Sequence, residues 1–217
     1  MRSLKDLVEE LEREGFIRSR EVKEAMLNID RRNFVPYIHR EEAYLDEPLP
    51  IGEDQTISAP HMVAIMLELL EIKKGMKVLE IGAGSGYNAC LIEFLAYPGK
   101  VISIERQKSL YYIAQENVKR CPYSENIKII FGDGSMGYPE EAPFDRIVVT
   151  CGAPDIPNVL LEQLSIDGIM LIPVGGHYFQ ELYRVIKRKE GITKENHGSV
   201  AFVPMIGKYG FKEEFYI

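Results

Sequence analysis

The stretch from Lys77 to Glu105 constrains the fold more than any other. It reads KVLEI, then Gly82-Ala83-Gly84-Ser85-Gly86, then a helical segment through about Leu95, then VISIE. Short apolar runs alternating with helical spacing are strands buried on both faces, and the alternation builds βαβ units, a parallel sheet and right-handed crossovers. The pattern continues through a helix from Ser109 to Lys119, IKIIF, a Gly132-Asp133-Gly134 turn and DRIVVT, and a helix from Ser58 to about Leu70 precedes it. The predicted fold class is therefore α/β, with a doubly wound, mostly parallel sheet. After GIMLIPV, the segments FQELYRVI and SVAFVPMI flank a charged, glycine-containing stretch and suit antiparallel edge strands.

Two extra N-terminal helices are expected. Leu4, Leu7, Val8 and Leu11 follow helical spacing behind Ser3 and Asp6, and Val22, Ala25, Met26 and Ile29 do so behind Ser19. The chain then breaks through Pro36, Pro48 and Pro50 into a long irregular stretch, the kind of loop that is usually functional. Nothing in the composition marks a linker, so residues 1–217 are read as one domain, with 1–57 as helices and a substrate-side loop and 58–217 as the core. The net charge of −7, with basic residues scattered, argues against an electrostatic nucleic-acid or anionic-membrane binder. No apolar run approaches the roughly 20 residues of a membrane span, and the N-terminus reads as a charged amphipathic helix rather than a secretory signal, so a cytoplasmic protein is expected. A monomer is the starting expectation, which nothing in the sequence fixes. Cys90, Cys121 and Cys151 lack CxxC or Cys/His spacing and are read as free buried thiols, with no metal site.

The chemistry belongs at the carboxyl ends of the parallel strands, where open α/β sheets bind ligands. The glycine turn there lets a ligand approach the backbone, but its GxGxG spacing lacks the third glycine of a dinucleotide fingerprint, since Tyr87 follows Gly86. Glu105 falls 23 residues after Gly82, near the position of an acid that accepts from ribose hydroxyls. Asp133, in its Gly-Asp-Gly turn, can accept from an exocyclic amine such as that of adenine. Read singly, these residues also suit a bare strand-to-helix turn, a solvated strand end and an Asp-Gly turn. Taken together, they point to one nucleoside ligand.

With these features the sequence resembles the class I S-adenosylmethionine-dependent methyltransferases, and more narrowly the protein-L-isoaspartate O-methyltransferases. PLPIGEDQTISAPHMVAIMLELL, VLEIGAGSGYNAC, GDGSMGYPEEAPFDRIVVTCGAP, LIPVG and HGSVAFVPMIG carry that resemblance over nearly the whole chain. It implies a Rossmann-like methyltransferase sheet. It also implies S-adenosylmethionine as cofactor, S-adenosylhomocysteine as product, and transfer of a methyl group to the α-carboxylate of isoaspartyl residues in damaged proteins and peptides. Thr56, Ile57, Gly82, Gly84, Ser85, Glu105, Arg106, Asp133 and Gly134 would then hold the cofactor. Ser58, Ala59, His61 and Val203 would meet the substrate, with Ser58 as the catalytic residue.

A carboxylate is already ionised at neutral pH, so its attack on a sulfonium methyl needs positioning and water exclusion rather than a general base. Ser58 is the expected N-cap of the helix that begins beside it, and the N–H groups of Ala59 and His61 are the backbone donors on offer because Pro60 has none. His61 suits either orientation of the carboxylate or a structural role. Val203, in an extended segment, could pair with peptide backbone. The rival readings are a class I methyltransferase acting on RNA or another carboxylate, a non-catalytic cofactor-binding module, and, least favoured, a dinucleotide oxidoreductase.

Overall fold

The computed structural model describes residues 2–213. Two amphipathic helices open the chain, α1 (Leu4–Arg13) and α2 (Arg20–Asn28), each burying one apolar stripe. Ser3 and Asp6 cap α1 reciprocally, and the Ser19 side chain accepts from the Val22 N–H at the start of α2. The stretch expected to be irregular contains a hairpin, β1 (Leu49–Gly52) and β2 (Gln55–Ile57). Its turn residues Glu53 and Asp54 both have positive φ, 52° and 54°, as a tight two-residue hairpin requires. The hairpin delivers Thr56, Ile57 and Ser58 to the start of α3 (Pro60–Leu70).

From there strand and helix alternate as expected: β3 (Lys77–Ile81), α4 (Tyr87–Ala96), β4 (Lys100–Glu105), α5 (Lys108–Val118), β5 (Ile127–Phe131) and β6 (Phe144–Val149). α6 (Asn158–Gln163), β7 (Leu164–Gly175), β8 (Gln180–Arg188) and β9 (Gly191–Val200) follow. The sheet order is β5-β4-β3-β6-β7-β8-β9, parallel from β5 to β7 and antiparallel at β8 and β9. The chain winds outward from β3 to β5 and then returns to β6 on the other side of β3, so the topological switch point opens between β3 and β6.

Successive residues of each central strand face opposite layers. Val78, Val101 and Val148 pack under α1 to α5, whereas Leu79, Ile102 and Ile147 pack toward α6 and the segments around it. The doubly wound expectation holds, with one helical layer much fuller than the other.

Two expectations fail. The charged stretch read as a connector forms most of β9, and SVAFVPMI contributes to that strand only as far as Val200. Almost every earlier residue of β9 is exposed, so its pairing with β8 rests on main-chain hydrogen bonds and leaves no hydrophobic alternation to read. Cys90 and Cys121 are not free thiols. Helices α4 and α5 lie side by side and bring them into a disulfide across 31 residues, with Cα atoms 6.0 Å apart. Cys151 is free and buried, and burial pushes its thiol pKa up. No helix among the described residues is long and apolar enough to cross a membrane.

Candidate active site

Three contiguous hollows of about 80, 310 and 60 Å³ meet at the switch point, and Thr56 and Thr150 line all of them. Gly82, Gly84, Glu105, Arg106 and Gly134 border the first, together with Val203 to Ile206 of the C-terminal segment. Ser58, Ala59, His61 and Val203 border the second, and Ile57, Ser58, Gly84 and Ser85 the third. Every expected site residue except Asp133 therefore lines this compound cleft, and Asp133 sits directly beside Gly134. A larger hollow, 690 Å³ between α2, the end of α3 and the end of α4, holds none of them. Its walls mix Glu21, Glu68, Lys73 and Tyr97 without a convergent polar set, so the chemistry is assigned to the switch point.

The glycine turn is shaped by what lies against it. Gly82 has φ +97°, and a Cβ there would stand 2.4 Å from Oγ1 of Thr150, whose hydroxyl lies 2.8 Å from the Gly82 carbonyl. Glu105 is buried and accepts from the Gly84 N–H at 2.9 Å and the Gln107 N–H at 2.8 Å. Burial raises its pKa, while these backbone donors and the charge of Arg106 oppose the shift. Two bonds leave acceptor capacity on the carboxylate for a diol.

Asp133 is tied into the fold through both of its carboxylate oxygens. One oxygen accepts from the N–H and hydroxyl of Ser135 at 2.9 and 2.7 Å, and the other accepts from the Lys208 N–H at 2.8 Å. A Cβ on Gly207 would lie 2.1 Å from that carboxylate, so the glycine is what lets the C-terminal segment close on it. Arg106 likewise reaches that segment, pairing with Glu213 at 2.8 Å.

On the substrate side, the structure corrects the expected cap. The N-cap of α3 is Ala59, with no side-chain cap bond, because Pro60 occupies the first helical turn and shifts the helix start past Ser58. The His61 N–H is also not open to an incoming anion, since it donates to Asp46 at 2.8 Å. Among the described residues, the Ser58 hydroxyl and the Ala59 N–H have no hydrogen-bond partner. The Val203 carbonyl accepts from the Gly152 N–H at 2.8 Å, beside the short parallel bridge between Gly152 and Pro204.

Sequence reasoning missed three contributors. Thr150 carries no signal because it reads only as the end of DRIVVT. Asp46 lies in the proline-rich stretch. Arg31 is fully buried and donates to the carbonyls of Ala43, Glu47 and Ser58 at 2.7, 2.9 and 3.2 Å, bracing the segment that carries Asp46 against Ser58. Burial lowers its pKa, and the nearby Asp46 charge opposes that.

Beneath the glycine turn, Glu80 pairs in register with Ser103 on β4 and accepts from the Ser103 hydroxyl and, at 2.8 Å, from Asn88 of α4. Burial pushes its carboxyl up to about 7, against the pull of those two donors. The folded state therefore holds a proton there that the unfolded chain releases near ordinary carboxyl values, so this group's contribution to stability falls as pH rises toward 7 and is constant above it. Glu80→Gln keeps the shape and removes the ionisation, and is expected to exceed wild-type stability by about 1–3 kcal/mol at pH 8 but not at pH 5. Urea unfolding at the two values checks this; a difference independent of pH refutes it.

The sheet order, the switch-point cleft and the carboxylate at the tip of β4 define a Rossmann-like methyltransferase fold. The comparisons with known proteins make this specific: the model of the protein-L-isoaspartate(D-aspartate) O-methyltransferase family matches residues 2–210, and the chain belongs to that family. It is 54% identical over 214 residues to the protein-L-isoaspartate O-methyltransferase of Methanopyrus kandleri, covering 98% of this chain and 95% of that one. It is 55% identical over 210 residues to the protein of the same name from Thermococcus sibiricus, covering 95% of both. Among solved structures, it superposes with TM-score 0.84 on a putative Plasmodium falciparum member in complex with S-adenosyl-L-homocysteine, at 32% identity and covering 95% of this chain and 99% of that one.

Proposed function

We propose that the protein transfers a methyl group from S-adenosylmethionine to the α-carboxylate of L-isoaspartyl residues in damaged proteins and peptides, releasing S-adenosylhomocysteine. Family membership supports the reaction. The observation that carries it to these residues is the junction at Thr56 and Thr150, where the Glu105 cleft opens directly onto the unpartnered hydroxyl of Ser58.

The cleft suits the cofactor. The Gly82 to Gly84 backbone admits a close approach, Glu105 keeps acceptor capacity for the ribose, and the strand tips around Gly134 and Ile104 offer an apolar seat for a base. When bound, the cofactor supplies an electrophilic methyl on a sulfonium. The chain's own residues then hold the attacking carboxylate in line and dry. An oxygen–methyl bond forms as the sulfur–methyl bond breaks, and no proton has to move, because the nucleophile is ionised at neutral pH. Ser58 and the Ala59 N–H donate to the carboxylate, and the buried charge of Arg31 behind the Ser58 carbonyl offsets the repulsion of a chain with net charge −7. The acidic charge also supports damaged polypeptides rather than nucleic acid as partners, with the enzyme acting as a cytoplasmic monomer.

Two synthetic peptides of one sequence, one with an L-isoaspartyl and one with an L-aspartyl linkage, test this by mass spectrometry. The expected result is one methyl gained on the isoaspartyl peptide alone. Methylation of neither peptide by a protein that still binds the cofactor overturns the substrate assignment.

A further inference from the structure

We propose that Asp46 is a positioning residue of the substrate site, holding His61 in the tautomer whose Nε2 offers a lone pair to a main-chain N–H of the bound isoaspartyl peptide. The inference rests on the peptide-methylating activity proposed above.

Asp46 grips His61 twice. Its Oδ1 accepts from the His61 main-chain N–H at 2.8 Å, and Oδ1 and Oδ2 stand 3.0 and 2.9 Å from ring Nδ1. An ionised carboxylate is an acceptor only, so the proton of the neutral ring sits on Nδ1 and Nε2 is left as an acceptor. The ring of Phe16 packs against the imidazole, centroids 5.4 Å apart, and limits its reorientation. Arg31 fixes the other end of the arrangement, binding the carbonyls of Ala43 and Glu47 on either side of Asp46.

His61 borders the same 310 Å³ hollow as Ser58, Ala59 and Val203. Ser58 and Ala59 present donors, which suit a carboxylate; a peptide also brings N–H groups that need an acceptor. Every residue but proline carries such an N–H, so an acceptor held at fixed geometry adds affinity without reading side chains. That is the selectivity required of an enzyme meeting one lesion in many sequences.

Asp46→Asn isolates the effect. The amide oxygen can still accept the His61 N–H and keep the helix start, while the amide nitrogen donates to Nδ1 and moves the ring proton to Nε2. Nitrogen-15 NMR of the His61 ring, recorded at a pH where the two ring nitrogens give the split shifts of a neutral imidazole, is expected to report Nδ1–H in wild type and Nε2–H in the variant. The peptide KM is expected to rise about tenfold, with kcat and the cofactor KM within about twofold of wild type. N-methylation of the isoaspartyl amide or of the amide that follows it, tested in turn, should cost wild type a similar factor at one of the two positions and cost the variant nothing further. An unchanged peptide KM, an equal rise in both KM values, or the same N-methylation penalty in both proteins overturns the inference. If wild type methylates the isoaspartyl peptide and the variant matches it, only the role of Asp46 falls; if wild type fails on that peptide, the functional reading falls and takes the inference with it.

Discussion

Ser58→Ala is expected to lower kcat/KM for an isoaspartyl peptide by roughly 100-fold while leaving cofactor affinity and thermal stability close to wild type. A hydrogen bond to a charged group contributes about 1.5–3 kcal/mol, and a contact that fixes the attacking oxygen is realised most fully in the transition state. Stability should be spared because the hydroxyl is not used by the fold. The helix cap is Ala59, no described residue bonds the Ser58 side chain, and Arg31 binds the Ser58 carbonyl, which the substitution retains. Had Ser58 been the cap, as its place in the sequence suggests, truncation would cost about 1 kcal/mol of stability with no selective loss of turnover. Steady-state kinetics, calorimetric cofactor binding and a melting curve separate the two. Equal losses of turnover and cofactor affinity, or a lowered melting temperature with turnover intact, would sink the assignment; Ser58→Thr, which keeps the hydroxyl, should retain most of the activity.

The contrast between Ser58 and Glu105 shows what this sequence reveals and what it hides. Glu105 is legible because its place at the tip of β4 follows from periodicity alone, and the switch point follows from the βαβ order. Those signals are local or nearly so. The start of α3 is not local: the carboxylate that receives its His61 N–H comes from Asp46, 15 residues upstream, across a hairpin whose turn uses Glu53 and Asp54 at positive φ. Neither residue is glycine or asparagine, so the usual turn signal is missing. Strand β9 is hidden for the opposite reason, since an exposed edge strand held by main-chain bonds has no buried face to imprint a period of two. Asp133 shows a third limit. Its turn was readable, but its attachment to the Lys208 N–H joins segments 75 residues apart, and spacing cannot report that.

The disulfide belongs to the same class of hidden feature, and removing it is expected to have the largest effect on stability. Replacing both Cys90 and Cys121 by alanine should lower stability by about 3–4 kcal/mol, the chain-entropy value for closing a loop of this length, and the melting temperature by roughly 10 °C. The sulfurs belong to buried residues, Cys90 at 0% and Cys121 at 8% exposure, so reductant in native buffer should act only through opening of the fold. Wild type unfolded with reductant present should therefore approach the double variant, whereas native protein exposed to the same reductant should keep its activity. Cofactor affinity should change little, although Cys90 lies in the helix that leaves the glycine turn. That turn has other anchors: Asn117 donates to the Ser85 carbonyl at 2.9 Å, and the Gly84 N–H donates to Glu105. A cross-link that acts mainly by restricting the unfolded chain predicts this split, with a large change in melting and almost none in binding. If the double variant instead lost cofactor affinity at temperatures far below its melting point, the bond would be shaping the glycine turn in the folded state, and the account given for its anchors would be wrong.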